Sequence, residues 1–122
     1  NLLKKNGIEP ALMMTWAYKD KPEMTSQLAK EYTVAGNKNN VLVMPVGLAY
    51  ANSTKANPEI DLYSSDKRHP SKAGTYLSAC VMYASVFQTS PVGNRYTFDL
   101  DTNIALNLQK IAWATHQEYY EN

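Results

Sequence analysis

The chain has 122 residues, which is enough for one ordinary domain and too few for two with separate cores. Lys and Arg together number 12 and Asp and Glu 11, with the two signs interspersed along the chain. No basic stripe therefore suggests a nucleic-acid partner, and no acidic run suggests a disordered tail. The apolar runs are far shorter than the ~20 residues that cross a bilayer, so we expect no membrane span.

The first eight residues, "NLLKKNGI", have the pattern of the last turns of a helix. Two leucines give an apolar face, Lys4 and Lys5 suit the negative end of a helix dipole, and Gly7 is a typical stop. A helix met at its end predicts that further sequence precedes Asn1 in the complete protein.

The next segment has the pattern strand, helix, strand. "ALMMTWAY", at residues 11–18, is a short apolar run typical of a strand covered on both faces. A helix follows, with Asp20 as its expected cap and Gly36 as its expected end. After a turn at residues 37–40, "VLVMPVGLAY" at 41–50 predicts a second buried strand. A short helical crossover of this kind predicts neighbouring parallel strands and an α/β fold.

The second half of the chain contains two predicted helices. Residues 51–68 are polar and are expected to form a loop at the carboxyl end of the second strand, the edge where open parallel sheets form sites. Residues 72–87 predict a helix that is apolar nearly all round, and hence an interior one. A loop at residues 88–101 leads to a final helix, whose inner stripe is Ile104, Leu108, Ile111 and Ala112.

The predicted loop ends in "DKRHPS", which places Asp66 three residues before His69. A turn brings such residues within ~7 Å between Cα atoms, so the carboxylate can reach the imidazole. The acid then fixes the tautomer and leaves the other ring nitrogen free to accept a proton, as in a Ser-His-Asp triad. Pro70 favours extended backbone at the histidine, and Ser71 is well placed to cap the following helix.

These residues resemble a known family. "DLYSSDKRHPSKAGTYLSACVMYASVFQTSPVG" is similar to the C-terminal block of SGNH (GDSL-type) hydrolases, where an Asp-x-x-His motif supplies the acid and base of the triad. "LMMTWAYKDKPEM" and "VLVMPVGLAYANS" look like the last two strand segments of the same family. The resemblance implies a three-layer α/β/α flavodoxin-like fold with a parallel sheet. It also implies a serine esterase in which His69 is the base and Asp66 orients it.

The nucleophile of this family is not found in the sequence. The resemblance places it in a Gly-Asp-Ser motif near the N-terminus, with oxyanion-hole Gly and Asn residues in middle blocks, and none of these blocks is present. Ser71 is expected to be a helix cap and not a substitute nucleophile. The resemblance therefore implies that residues 1–122 are the C-terminal part of a single SGNH domain whose N-terminal half is missing. We expect this chain alone to be inactive.

The resemblance also bears on substrate and surroundings. It implies a small-molecule or carbohydrate ester as substrate, an acetyl ester among the options, with no cofactor and no metal. Members of the family are often secreted or periplasmic, and that is the only indication of a compartment.

Three aromatic residues are candidates for a substrate pocket. Trp16, at the end of the first predicted strand, is placed to line a pocket at the sheet edge, although an aromatic there is also typical of plain core. Tyr50 and Tyr63 flank the candidate loop and are expected at the pocket rim.

The sequence allows two further interpretations. A metal site made of Asp66, His69 and His116 has no ligand-spaced cluster to support it, and His116 is more simply a solvated residue near a helix C-terminus. A non-catalytic carbohydrate- or protein-binding domain on the same scaffold remains open, because fold does not fix function. The presence of both acid and base favours the esterase, and the missing serine keeps the binding domain possible.

Overall fold

A computed structural model describes residues 1–121 as a mixed fold of two strands and five helices. Strands β1 (Ala11–Met13) and β2 (Leu42–Met44) are parallel neighbours, with Leu12 opposite Val43. The predicted parallel pair with a helical crossover is therefore confirmed, and the mixed fold is compatible with the α/β class. The helices are α1 (Leu2–Lys5), α2 (Met24–Asn39), α3 (Val46–Ala56), α4 (Lys72–Phe87) and α5 (Thr102–Glu121).

Both strands are shorter than predicted. β1 ends at Met13, and β2 ends at Met44 before the chain turns at Pro45 into α3. The predictions of strand at residues 46–50 and of loop at 51–56 were therefore wrong. The buried residues of α3 lie at helical spacing within an apolar run too short to distinguish a strand from a helix.

Helix α2 starts later and ends later than predicted. Its N-cap is Glu23, without a side-chain hydrogen bond, so the predicted cap at Asp20 was wrong. The helix passes through Gly36 and the predicted turn and ends before Asn40, whose φ of 49° is left-handed. A glycine is needed at position 36 for packing, because a Cβ atom there would lie 2.4 Å from Val43 Cγ2. Gly36 thus lets α2 lie close against β2.

The core lies mainly among α3, α4 and α5, while α2 and α4 both contact β2. Its centre contains the fully buried side chains of Val46, Leu77, Val81, Leu108 and Ala112. The bounds of α4 match the prediction, but the helix is not covered all round. Its C-terminal side chains Tyr83, Val86 and Phe87 are 37%, 55% and 64% exposed.

The start of α3 lies very close to the end of β1. The Gly47 N–H donates to Met14 O at 3.0 Å, and a Cβ atom on Gly47 would lie 2.0 Å from Thr15 O. The absence of a side chain therefore allows this contact, which positions α3 beside the segment that follows β1.

The outer edge of β2 is closed by a side chain from α5. The Tyr120 hydroxyl accepts from the Val43 N–H at 3.0 Å and donates to Val43 O. One phenol thus satisfies both outward backbone groups of Val43, as a neighbouring strand would. Within residues 1–121, no helix combines the length and apolar character needed to cross a membrane.

Candidate active site

The predicted contact between Asp66 and His69 is present. Asp66 Oδ2 lies 2.5 Å from His69 Nδ1. Because a carboxylate only accepts hydrogen bonds, Nδ1 carries the hydrogen, and Nε2 of the neutral ring is left as an acceptor. The pair thus has the arrangement in which an acid orients a general base.

Asp66 is held in its ionised form. Its pKa lies well below the usual range, chiefly because of the hydrogen bond from His69 and further because Oδ1 accepts from the backbone N–H groups of Arg68 and His69, both at 2.9 Å. The side chains of Asp66 and His69 are 46% and 81% exposed. The imidazole of His69 is therefore accessible from solvent.

The loop that carries the pair is tightly closed. The Ser64 N–H donates to His69 O at 2.8 Å, and the Lys67 N–H donates to Ser64 O at 2.9 Å. Tyr63 and Pro70 form an antiparallel bridge at the base of the loop, and Lys67 has a left-handed φ of 64°. These contacts restrict the backbone on both sides of the histidine.

The segment after β1 anchors the same loop. The Lys19 N–H donates to Lys67 O at 2.9 Å, and the Trp16 indole N–H donates to Arg68 O at 2.8 Å. The Arg68 guanidinium lies 4.7 Å from the centre of the Tyr18 ring, within cation–π range. Sequence reasoning missed these anchors, because they join residues about fifty positions apart and leave no local pattern.

Ser71 caps α4, as predicted. Its Oγ accepts from the Gly74 N–H at 3.2 Å and donates to Asp61 O at 2.8 Å. The hydroxyl is thus used in both directions for structure. This fixes the start of α4 directly after the loop.

A cleft of about 490 Å³ lies beside the loop, but it contains neither Asp66 nor His69. Of the predicted pocket residues, Tyr50 and Tyr63 line it and Trp16 does not. The lining residues are Ala17, Tyr18, Lys19, Pro22, Thr25, Gly47, Tyr50, Ala51, Thr54, Lys55, Pro58, Ile60, Asp61, Leu62 and Tyr63.

The three predicted pocket aromatics contact one another and the backbone beside the cleft. Tyr50 is 1% exposed, its hydroxyl lies 3.2 Å from Ser78 Oγ, and burial raises its pKa to about 12. It forms the floor of the cleft and not the rim that the sequence predicted. Trp16 stacks on it at 4.8 Å, and the Tyr63 hydroxyl donates to Ala17 O at 2.7 Å.

No serine in residues 1–121 donates a hydrogen bond to the free nitrogen of His69. Of its sequence neighbours, Ser64 donates to Pro70 O at 2.9 Å, and Ser71 is committed to the helix cap. The described part of the chain therefore contains a candidate acid and base without a nucleophile in contact.

His116 is not the solvated residue that the sequence predicted. It is 4% exposed and lies between the rings of Trp113 and Tyr120, at centroid distances of 5.5 and 5.2 Å. The prediction was wrong because the end of α5 packs against β2 through Tyr120. Across residues 1–121, no three His, Cys, Asp or Glu side chains are grouped so that they could hold a metal ion.

Comparisons of the chain with protein-family models, curated proteins and solved structures found no match.

Proposed function

We propose that the chain supplies the acid and base of a serine ester hydrolase of the SGNH (GDSL) type. The observation that carries the proposal is the contact between Asp66 Oδ2 and His69 Nδ1, on a loop closed at its base and anchored to the segment after β1. A base that is oriented by a carboxylate and leaves Nε2 accessible is what acyl transfer by a serine requires.

The reaction follows from the roles of the two side chains. His69 Nε2 takes the proton of a serine hydroxyl as the serine oxygen attacks the acyl carbon, and Asp66 stabilises the resulting imidazolium. His69 then gives the proton to the leaving alcohol. Water repeats the sequence on the acyl-enzyme, releasing the carboxylic acid and restoring the serine.

The serine and the oxyanion donors come, in this proposal, from outside these 122 residues. In the same proposal, β1 and β2 are the last two strands of a three-layer α/β/α flavodoxin-like sheet. Their parallel pairing, the α2 crossover and the position of the Asp66–His69 loop before α4 support that assignment. The substrate is a small-molecule or carbohydrate ester.

The proposal is tested first by the coding sequence upstream of Asn1. A Gly-Asp-Ser segment after a predicted strand supports the esterase, and a non-nucleophilic residue in its place contradicts it. The second test is labelling with a fluorophosphonate, which reacts with activated serines. We expect the protein that contains the upstream segment to be labelled and its His69→Ala variant not to be.

The isolated chain is the matched control. We expect p-nitrophenyl acetate to be hydrolysed at its background rate in the presence of residues 1–122. The His69→Ala variant of this chain should give the same rate. Turnover that depends on His69 would show that one of the chain's own serines is the nucleophile. If the longer protein is neither labelled nor active, the exposed His69 belongs to a non-catalytic binding domain.

A further inference from the structure

The cleft beside the candidate loop has the size of a ligand site that the proposed reaction does not use. Its volume of about 490 Å³ lies within the range of small-molecule pockets, roughly 300–1,000 Å³. Neither Asp66 nor His69 lines it, so a molecule bound there would be a second ligand.

The floor of the cleft is apolar and rigid. Leu62 and Tyr50 are each 1% exposed, and the Tyr50 ring is fixed between Trp16 and the edge of Tyr63. Gly47 adds bare backbone to the floor. Such a surface suits a short hydrocarbon chain or ring.

The charges of the side chains that line the cleft do not sum to zero. Lys19 Nζ and Asp61 Oδ2 form an ion pair at 2.9 Å, and the hydrogen bond from Lys19 lowers the pKa of Asp61, so the opposite charges of this pair offset each other. Lys55, in the last turn of α3, also lines the cleft. Among residues 1–121 no carboxylate lies within 4.0 Å of the Lys55 ammonium. The lining therefore carries a net positive charge located at Lys55.

We propose that this cleft binds a small free carboxylate with a short apolar body. The carboxylate pairs with Lys55, and the hydrocarbon lies on the apolar lining of the cleft, which includes Ala51, Ile60 and Leu62. A cationic ligand would be repelled by the unpaired ammonium, and a neutral one would gain only the contacts of the floor.

The experiment is a titration of the isotope-labelled chain with hexanoate, followed by amide correlation NMR spectra. We expect saturable shifts at Gly47, Ala51 and Thr54. Lys55→Met, which keeps the aliphatic stem and removes the charge, should weaken binding about two- to fivefold, as expected for loss of an ion pair made by an exposed lysine. Hexanamide has the same hydrocarbon chain with a neutral head group, and it should bind more weakly than hexanoate by a similar factor.

Lys38→Met is the matched control, because Lys38 is an exposed lysine in the last turn of α2 and does not line the cleft. It should leave the affinity unchanged. Shifts confined to other surfaces, equal binding of hexanamide, or equal affinity of Lys55→Met would each overturn the proposal. None of these results depends on the Asp66–His69 pair, so the esterase proposal is tested separately.

Discussion

Asp66 divides its two carboxylate oxygens between the backbone of the loop and the imidazole. Oδ1 accepts from two backbone N–H groups, and Oδ2 contacts His69 Nδ1. An asparagine can accept from the same two backbone N–H groups through its carbonyl oxygen. Its amide nitrogen then lies near His69 Nδ1, and this nitrogen is a donor that cannot accept the Nδ1 hydrogen. Asp66→Asn therefore separates the structural role of this residue from its orienting role.

If the esterase proposal holds, His69→Ala in the protein that contains the upstream segment should lower kcat by roughly four to six powers of ten, and Asp66→Asn should cost somewhat less. The double variant should resemble His69→Ala alone, because without the base there is nothing to orient. Steady-state kinetics with the best available ester measures all three.

Lys67→Ala is the control within the same loop, since the Lys67 side chain makes no ion pair or hydrogen bond among the described residues. It should retain near wild-type turnover. Near wild-type turnover of both Asp66→Asn and His69→Ala would mean that the loop is only a turn.

His116 makes stability depend on pH. Burial lowers its pKa from the usual value of 6.5, and Nδ1 has no hydrogen-bond partner among the described residues. Below about pH 6.5 the unfolded chain takes up a proton that the folded chain resists, so the free energy of unfolding should fall as the pH drops through this range. Nearby Glu121 opposes part of the effect.

Urea unfolding at neutral and mildly acidic pH measures this dependence. His116→Phe keeps a ring between Trp113 and Tyr120 and removes the titration, so its stability should change less between the two conditions. An equal loss of stability in the wild type and the variant would show that His116 is not the group responsible.

Among the elements, some local patterns predicted the structure correctly, ambiguous apolar runs did not, and contacts between distant segments were not predicted. The bounds of α4 followed from its apolar run and Ser71, and the contact of Asp66 with His69 followed from their spacing. Helix α3 was missed because the apolar run from Val41 to Tyr50 fits a strand and a buried helix equally well. The burial of His116 depends on how the end of α5 docks onto β2, which no local pattern records.

The start of α4 gives a test at the same scale. Ser71→Ala removes the cap on the Gly74 N–H and the bond to Asp61 O, and we expect it to cost about 1–2 kcal/mol of unfolding free energy. Ser65→Ala is the control, because Ser65 is exposed and its hydroxyl makes no hydrogen bond among the described contacts. Thermal or urea unfolding compares them. Equal stabilities would mean that the cap contributes nothing measurable.

For the whole molecule, an unpaired strand edge and an apolar helix end are both open among the described residues. β1 pairs only with β2, and its outward Met13 is 37% exposed. The second surface is the end of α4, where Tyr83 and Phe87 pack ring to ring at 5.2 Å and extend into solvent. β2 differs, because Tyr120 closes its outer edge at Val43. Open strand edges and contiguous apolar surfaces favour association.

We therefore expect the isolated chain to associate as its concentration rises, through the end of α4. Val86→Glu should shift the weight-average mass in sedimentation equilibrium toward the monomer, because a charge there would be buried in any contact made by this helix face. Val34→Glu is the matched control: Val34 has the same exposed fraction, 55%, on a different helix, α2. It should leave the association unchanged. A wild-type chain that stays monomeric at all concentrations, or a Val34→Glu variant as monomeric as Val86→Glu, would show that the end of α4 is not the associating surface.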